Sequence, residues 1–439
     1  MWLSPASVEI DASLGDLNAG LVEGWNARVK ITHLRLREVT GSFDQKDVFW
    51  EERLIRPVDV YPERHADPAT AGLWLPQKAN EDRYTIRTVF LQIETDEGVS
   101  GVAGPISHDI AYIVDQAFRG SLKGADPLAS ERIWDMLYRQ AVHGRKGDTM
   151  MAISAIDCAL WDLKGRWLNQ PVHRLLGGPV REELPAYASM LGFSLEPELV
   201  RTRATEKVGE GFTAMKWFPR HGPSDGREGM ARNVELMTTL REAVGPDVDV
   251  MLDAWMSWDV PYTLAMADRL KDLAPRWIEE PVMPDKIAAC AEIRRRSPVP
   301  IATGEHEYTR WGLKQLMDAG AADVLQPDTY WAGGISEMQK ICAVASTYDL
   351  PVIPHGHSVP ANVQLIAAQP ANLCPMVEFL VKWNKLLQHF WKEPVMPVNG
   401  VVTVPQGPGM GVELDHEKIE TERELTWVDR PTAVDEEIA

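Results

Sequence analysis

The sequence predicts an α/β fold, a parallel βα barrel of TIM type preceded by a smaller sheet-containing domain, and three observations carry that reading. Six short apolar runs between Met251 and Leu380 each end in a residue able to bind a metal or move a proton: VMLD at Asp253, RWIE at Glu279, PIATGE at Glu305, VLQPD at Asp328, PVIPH at His355 and MVE at Glu378. The intervals are 26, 26, 23, 27 and 23 residues, the length of one strand, one helix and their loops. Strand-like and helix-like patterns alternate throughout this region, which favours a parallel sheet with helices outside. Finally, 439 residues accommodate a barrel of about 250 residues and a second domain. Because a parallel barrel opens the carboxyl ends of its strands onto one face, the six polar groups are expected to share one mouth.

Composition narrows the partners. With 45 Lys and Arg against 64 Asp and Glu, the net charge is −19, and the basic footprint that phosphate binding needs is missing. Nucleic acid is therefore not an expected partner, and an anionic substrate would need local cationic help such as a bound metal. Cys158, Cys290, Cys342 and Cys374 are scattered without a CxxC pair, which fits a reduced, cytoplasmic setting. No run reaches the roughly 18 apolar residues of a membrane span, so no membrane is expected. The opening MWLSPASVEIDASLGDLNAG lacks a basic leader and an apolar core, and residues 1–27 read as an acidic extension.

Taken in order, VKITHLRLREV and YTIRTVFLQIET alternate as strands, the second leading through Asp96-Glu97-Gly98 into VSGVAG, and together they predict an antiparallel sheet. Residues 41–80 contain Pro57, Pro62, Pro68 and Pro76 without sustained periodicity, as expected of a long loop or lid. It carries Arg53, Arg56, Arg64 and His65, any of which could meet a substrate's polar end. SHDIAYIVDQAFRGSL and PLASERIWDMLYRQAV follow with helical spacing. TMMAISAIDCALWDLKGRWLNQPVHRLLGG reads as a helix with a wide apolar face that links the two domains. The barrel strands are expected at LPAYAS, FTAMKWF, VDVMLD, RWIE, VPIATG, DVLQP, LPVIPH and MVEFL. The predicted bounds are 28–150 for the first domain, 151–183 for the linking helix, 184–380 for the barrel and 381–439 for a segment crossing back to the first domain, its acidic end loose.

The chemistry follows from residue type. Asp253, Glu279 and Glu305 offer three carboxylates without nitrogen or sulfur ligands, a hard oxygen set that suits Mg2+ rather than zinc. Three such groups would repel one another and take up protons unless a cation stood among them. Glu280 and Glu307 compete for the role; strand alternation sends Glu279 and Glu280 to opposite sides, and register favours Glu279. Asp328 beside His355 would fix the imidazole's tautomer and raise its basicity, with His357 as the rival histidine. Glu378 would donate a hydrogen bond if protonated or accept one from a substrate hydroxyl if ionised. Trp217, Trp255, Trp258 and Trp331 fall near strand ends, where two or three could narrow the mouth.

The order Asp, Glu in EEP, Glu in GE, Asp and His at barrel-unit spacing resembles the mandelate racemase/muconate lactonizing enzyme branch of the enolase superfamily. AIDCALWDLKGR followed by PVHRLLGG is similar to that branch's linker. The resemblance spans residues 28–415 or so, and MLDAWMSWDVPY, TGEHE, QPDTYWAGG and VIPHGHS look most like its rhamnonate dehydratase group of acid-sugar dehydratases. It implies a modified TIM barrel, (β/α)7β-like, with an N-terminal α+β capping domain completed by the C-terminal segment, assembled as a homo-oligomer. It also implies one Mg2+ per subunit on Asp253, Glu279 and Glu305, binding a small-molecule carboxylate substrate. His355, oriented by Asp328, would take the proton alpha to that carboxylate, with Glu378 supporting the enediolate. Loss of the 3-hydroxyl would then give a 2-keto-3-deoxy acid.

One departure bears on the reaction. Racemases of the branch present KxK on the second strand, whereas here Lys216 is followed by Trp217 and Phe218, which weakens the case for a second base. Lys216, Arg64, His221, His357 and Trp331 are the candidate substrate contacts, Lys216 being equally readable as barrel packing with its ammonium in solvent. Beside the dehydratase stand a racemase, epimerase or cycloisomerase on the same platform, and a non-catalytic barrel kept for binding or assembly.

Overall fold

The computed structural model describes residues 29–427 other than 47, 62, 64–75 and 81. The N-terminal extension, the acidic tail past Arg430, Arg64 and His65 lie outside the described residues.

Alternating apolar residues build the first sheet. β1 (Ile31–Asp44), β2 (Gln77–Asn80), β3 (Arg83–Thr95) and β4 (Ser100–Ile106) are antiparallel, with β1 on one edge of β3 and both β2 and β4 on the other. Leu34 and Leu36 on β1 and Val89, Leu91 and Ile93 on β3 bury one face, while Arg35, Arg37, Glu94, Glu422 and Glu424 pair in salt bridges on the other. The expected loop over residues 41–80 is shorter than predicted. β1 continues to Asp44 because Phe43 stacks on Tyr84, ring centroids 5.8 Å apart, and Gln77–Asn80 pairs with β3. The first helical stretch runs without interruption from His108 to Leu122, with a wider π-type turn at Val114–Phe118.

The second sheet is parallel and curled. β5 (Glu183–Ser189), β6 (Ala214–Trp217), β7 (Asp249–Asp253), β8 (Ile278–Glu279), β9 (Ile301–Thr303), β10 (Val324–Leu325) and β11 (Val377–Leu380) form the ladder β11-β5-β6-β7-β8-β9-β10. The predicted strand at LPVIPH shrinks to a single bridge, Val352 to Leu325, because Pro351 and Pro354 bring no N–H to a ladder. DVLQP likewise stops before Pro327. Helices such as Gly226–Val244, Val260–Leu270 and Gly334–Ser346 alternate with the strands. Tyr187, Met251, Trp277 and Ile353 fill the inside, Tyr187 meeting Trp277 edge-on at 5.9 Å, so the barrel is a packed core rather than a pore.

Helix Asp148–Leu168 lies between the two sheets, and its wide apolar face explains how. On one side Gly101 of β4 packs so closely that a Cβ there would come within 2.2 Å of the Ala159 carbonyl. On the other, Asp157 accepts from Ser336 N at 2.9 Å and Ser336 Oγ at 2.5 Å at the start of helix Gly334–Ser346. Asp162 joins three parts of the chain at once: it accepts from Val102 N (2.9 Å), Met410 N (2.8 Å) and Arg166 Nε (2.7 Å). The C-terminal segment splits its pairing. β12 (Val401–Thr403) runs antiparallel to the start of β5, and only β13 (Thr421–Glu424) returns to β1. Among the described residues no helix is long and apolar enough to cross a membrane.

Replacing Asp162 with alanine strands two buried backbone donors and the Arg166 guanidinium. Thermal or urea unfolding is expected to register a loss of about 3 kcal/mol, without change in metal binding at the distant barrel mouth.

Candidate active site

Strand register sets the first two carboxylates level. Asp253 closes β7 opposite Glu279, which closes β8. Glu305 comes two residues after β9, where Gly304 at φ 126° makes a turn closed to side-chain-bearing residues. Oxygens of Asp253, Glu279 and Glu305 lie within 4.8 Å of one another, and all three residues are buried. Their partners fix their aim. Asp253 Oδ1 accepts from Trp255 N at 3.0 Å, and Glu279 Oε2 accepts from Trp277 Nε1 at 2.9 Å and Gln326 Nε2 at 2.8 Å.

Lys216 stands among these groups with no solvent exposure, correcting the alternative that turned its ammonium to solvent. Its Nζ lies 3.0 Å from Asp253 Oδ2 and 2.8 Å from Glu378 Oε1, and it pairs with Glu279 Oε1. Glu378 also accepts from Gly356 N at 2.9 Å. Burial opposes its charge, but Lys216 and His355 outweigh that and hold its carboxyl below the usual range. Glu378 is thus an ionised acceptor, which removes the option of a protonated donor.

Asp328 and His355 follow β10 and the Val352 bridge by three residues each. His355 Nδ1 lies 2.7 Å from Asp328 Oδ2, and Asp328 Oδ1 accepts from Tyr330 N at 2.7 Å. With Asp328 as the acceptor, Nδ1 carries the proton, and Nε2 lies 3.7 Å from Glu305 Oε2. Burial acts against an imidazolium here, yet Glu305, Asp328 and Glu378 together lift the His355 pKa to about 10. Burial pushes Asp253 up to about 6 and Glu305 to about 7, with neighbouring carboxylates adding to the rise, and drives Glu279 well above the usual range. These are the signs of a cluster short of positive charge. A hard, oxygen-only donor set of this kind fits Mg2+.

The rivals are sorted by contact. Glu280, at φ 41°, turns to His306 Nδ1 at 2.8 Å, and with His306 and Glu305 forms a second group within 4.8 Å, so two overlapping sets share Glu305. Glu307 is held by Lys146 Nζ at 2.6 Å. Trp331 packs against three imidazoles, with ring centroids 5.1 Å from His355, 5.5 Å from His306 and 5.6 Å from His357. Trp255 covers His306 from the other side at 5.8 Å, whereas Trp217 and Trp258 are packed in the core. His221 is not brought to the cluster; its Nδ1 faces Asp225 at 3.6 Å. In the lid, Arg53 and Arg56 both engage Asp59, at 2.5 and 3.5 Å.

His306 and Gln326 were not singled out by sequence reasoning, although both sit in quoted runs, TGEHE and VLQPD. Counting strand ends steps over the residue beside each end. A cavity of about 560 Å3 lies elsewhere, between the antiparallel sheet and the C-terminal segment beside Arg37, Lys392 and His416.

The family described as mandelate racemase/muconate lactonizing enzyme, N-terminal domain, matches residues 75–177, and the one described as enolase C-terminal domain-like matches 199–419. An L-rhamnonate dehydratase of Saccharopolyspora erythraea is 35% identical over 405 residues, covering 89% of this chain and 97% of that protein. A crystal structure of L-rhamnonate dehydratase from Gibberella zeae aligns with TM-score 0.76 and 32% identity over 90% of this chain and 95% of the other. A second structure of the Gibberella zeae enzyme, complexed with Mg, aligns with TM-score 0.76 and 30% identity over 90% and 96%.

Protons and a cation compete for the same oxygens. Carboxyls raised to about 6 and 7 are partly protonated below those values, so Mg2+ binding is expected to expel protons and to tighten as pH rises through that interval. Calorimetry in two buffers of different ionisation enthalpy reads the release directly; heats that do not depend on the buffer would contradict it.

Proposed function

The chain belongs to the mandelate racemase/muconate lactonizing enzyme branch of the enolase superfamily, and from that premise we propose that it is a Mg2+-dependent hydro-lyase acting on an acid sugar. The substrate class is an aldonate or aldarate of rhamnonate-like structure, converted to a 2-keto-3-deoxy acid and water. The observation that carries the reading is the His355–Asp328 pair at 2.7 Å, its Nε2 3.7 Å from Glu305, which clusters with Asp253 and Glu279.

Asp253, Glu279 and Glu305 hold the metal. When bound, Mg2+ supplies the positive charge that makes a proton alpha to a carboxylate removable near neutral pH. His355 Nε2 takes that proton, while Asp328 keeps Nδ1–H in place and stabilises the imidazolium. The same imidazolium then returns its proton to the departing 3-hydroxyl, which leaves as water; the enol that remains tautomerises to the keto acid. Glu378, ionised beside Lys216, accepts a hydrogen bond from a substrate hydroxyl. Trp331 and His357 flank the base and offer a wall for the rest of the sugar chain. Phe218 in place of a second lysine supports removal and return of protons from one face.

A screen of mono- and di-acid sugars with Mg2+, scored for 2-keto product, tests the activity. On the best substrate, His355→Asn is expected to lower kcat by about a hundredfold to ten-thousandfold while Mg2+ still binds, and Asp253→Asn to lose Mg2+. Turnover surviving in His355→Asn would sink the one-base mechanism. Solvent deuterium entering substrate, or an isomeric product, without loss of water would replace the dehydratase with a racemase, epimerase or cycloisomerase. Mg2+ binding with no turnover across the screen would favour a binding or assembly role.

A further inference from the structure

We infer that Lys216 is a built-in counter-ion of the carboxylates, competing with Mg2+ for their oxygens and withdrawing toward β5 and Glu378 when Mg2+ enters. The inference rests on the metal-site reading above.

Glu279 makes the argument. Its Oε2 already accepts from Trp277 and Gln326, and its Oε1 is held by Lys216. A divalent ion reaching for Glu279 therefore meets the one oxygen that the ammonium occupies. Asp253 repeats the pattern: Oδ1 accepts from Trp255 N and Oδ2 lies 3.0 Å from Lys216 Nζ. Two of the three carboxylates in the all-oxygen set thus have their free oxygen covered by one side chain. An ammonium and a magnesium ion cannot share those oxygens without strong repulsion in a site closed to water.

The neighbouring strand offers the ammonium somewhere to go. Tyr187 Oη is buried and without a hydrogen-bond partner among the described residues, while the buried Ser189 hydroxyl beside it serves Glu378. Both lie on β5, where Ser189 is the register partner of Lys216 and Tyr187 the register partner of Glu378. A buried hydroxyl is rarely left unpaired, so Tyr187 Oη beside a cation on the adjacent strand marks a second position for it. There Lys216 keeps Glu378 as its ion partner, 2.8 Å away already, and stays near the Phe218 ring, now 5.4 Å from Nζ. Coupling of this kind is reciprocal: what the ammonium costs Mg2+, Mg2+ costs the ammonium.

The test titrates Mg2+ alone, without substrate, into the wild-type chain and into Lys216→Met, above the pH at which the carboxyls hold protons. Lys216→Met is expected to bind Mg2+ about tenfold tighter or more and to gain more thermal stability from it than the wild type does. Lys216→Arg, which keeps the charge, should show no such gain. A side chain with a merely structural role would weaken metal binding on removal or leave it unchanged. Equal or weaker binding by Lys216→Met overturns the inference, whereas absence of binding in every chain fells the metal-site reading and the inference with it. Should Lys216→Met not fold, crystal structures of the wild type with and without Mg2+ decide. Nζ leaving Glu279 Oε1 for Tyr187 Oη is the expected result, and an unmoved Nζ is the overturning one.

Discussion

Crowding of like charge in a dry place is the constraint from which the rest of the molecule follows. Asp253, Glu279, Glu305, Asp328 and Glu378 are all buried at one end of the parallel sheet, where water cannot screen them. Each would be costly alone, and together they repel. Lys216 and His355 offset part of that cost from inside the cluster, and backbone donors at Trp255, Tyr330 and Gly356 take up further lone pairs. The remaining shortfall of positive charge shows in the raised carboxyls of Asp253, Glu279 and Glu305. A fold that concentrates anions in this way is stable as a barrel only if it also provides for a cation.

The scaffold meets this demand with short, stiff elements. β8 and β10 have two residues each, and the chain leaves the ladder where a proline follows, at Pro281 and Pro327. Beyond the strand ends the backbone is held in uncommon conformations. Trp255, Met256 and Glu280 have φ of 39°, 63° and 41°, costly for residues other than glycine, and the cost is on the order of 1 to 3 kcal/mol each. Hydrogen bonds across the two loops, Ala254 N to Glu279 O at 3.0 Å and Met256 N to Glu280 O at 2.6 Å, hold them there. The strain is placed where the first two carboxylates must face each other, and the packed layer of Tyr187, Met251 and Trp277 beneath keeps them from relaxing downward.

Much of this was readable in the amino-acid sequence, because a barrel repeats its unit length. Spacings of 23 to 27 residues between polar strand ends were enough to bring Asp253, Glu279, Glu305, Asp328 and His355 to one side. What stayed hidden depends on rotamers and on backbone that leaves the strand. Lys216 could not be placed from its position in AMKWF, since inward and outward orientations give the same pattern on a strand whose residues are all buried. Glu280 escapes simple alternation because its left-handed φ re-aims it at His306. Prolines that trimmed LPVIPH to a bridge also made a strand reading there too generous. In the lid, Arg53 and Arg56 looked available on paper, but Asp59, three residues past Arg56, pairs with both.

The asymmetry of the site ties its electrostatics to the proposed elimination. Two imidazoles reach Glu305, His306 held by Glu280 and His355 held by Asp328, which sets the tautomer of the proposed base. At position 218, where a KxK pattern would put the second lysine, Phe218 is buried and its ring faces the Lys216 ammonium. A second lysine at 218 would bring one more cation into a cluster that must also admit Mg2+, and it would offer protons to the opposite face of the substrate. An aromatic ring does neither: it favours the existing ammonium through its π face and cannot exchange protons. If, as proposed, His355 alone exchanges protons with the substrate carbon, the proton it takes can be returned only on the same side, and a departing hydroxyl is the acceptor that makes such a return productive. The replacement of one lysine by phenylalanine thus acts on both problems at once, limiting positive charge where a metal must compete for oxygens and limiting proton traffic to a single face.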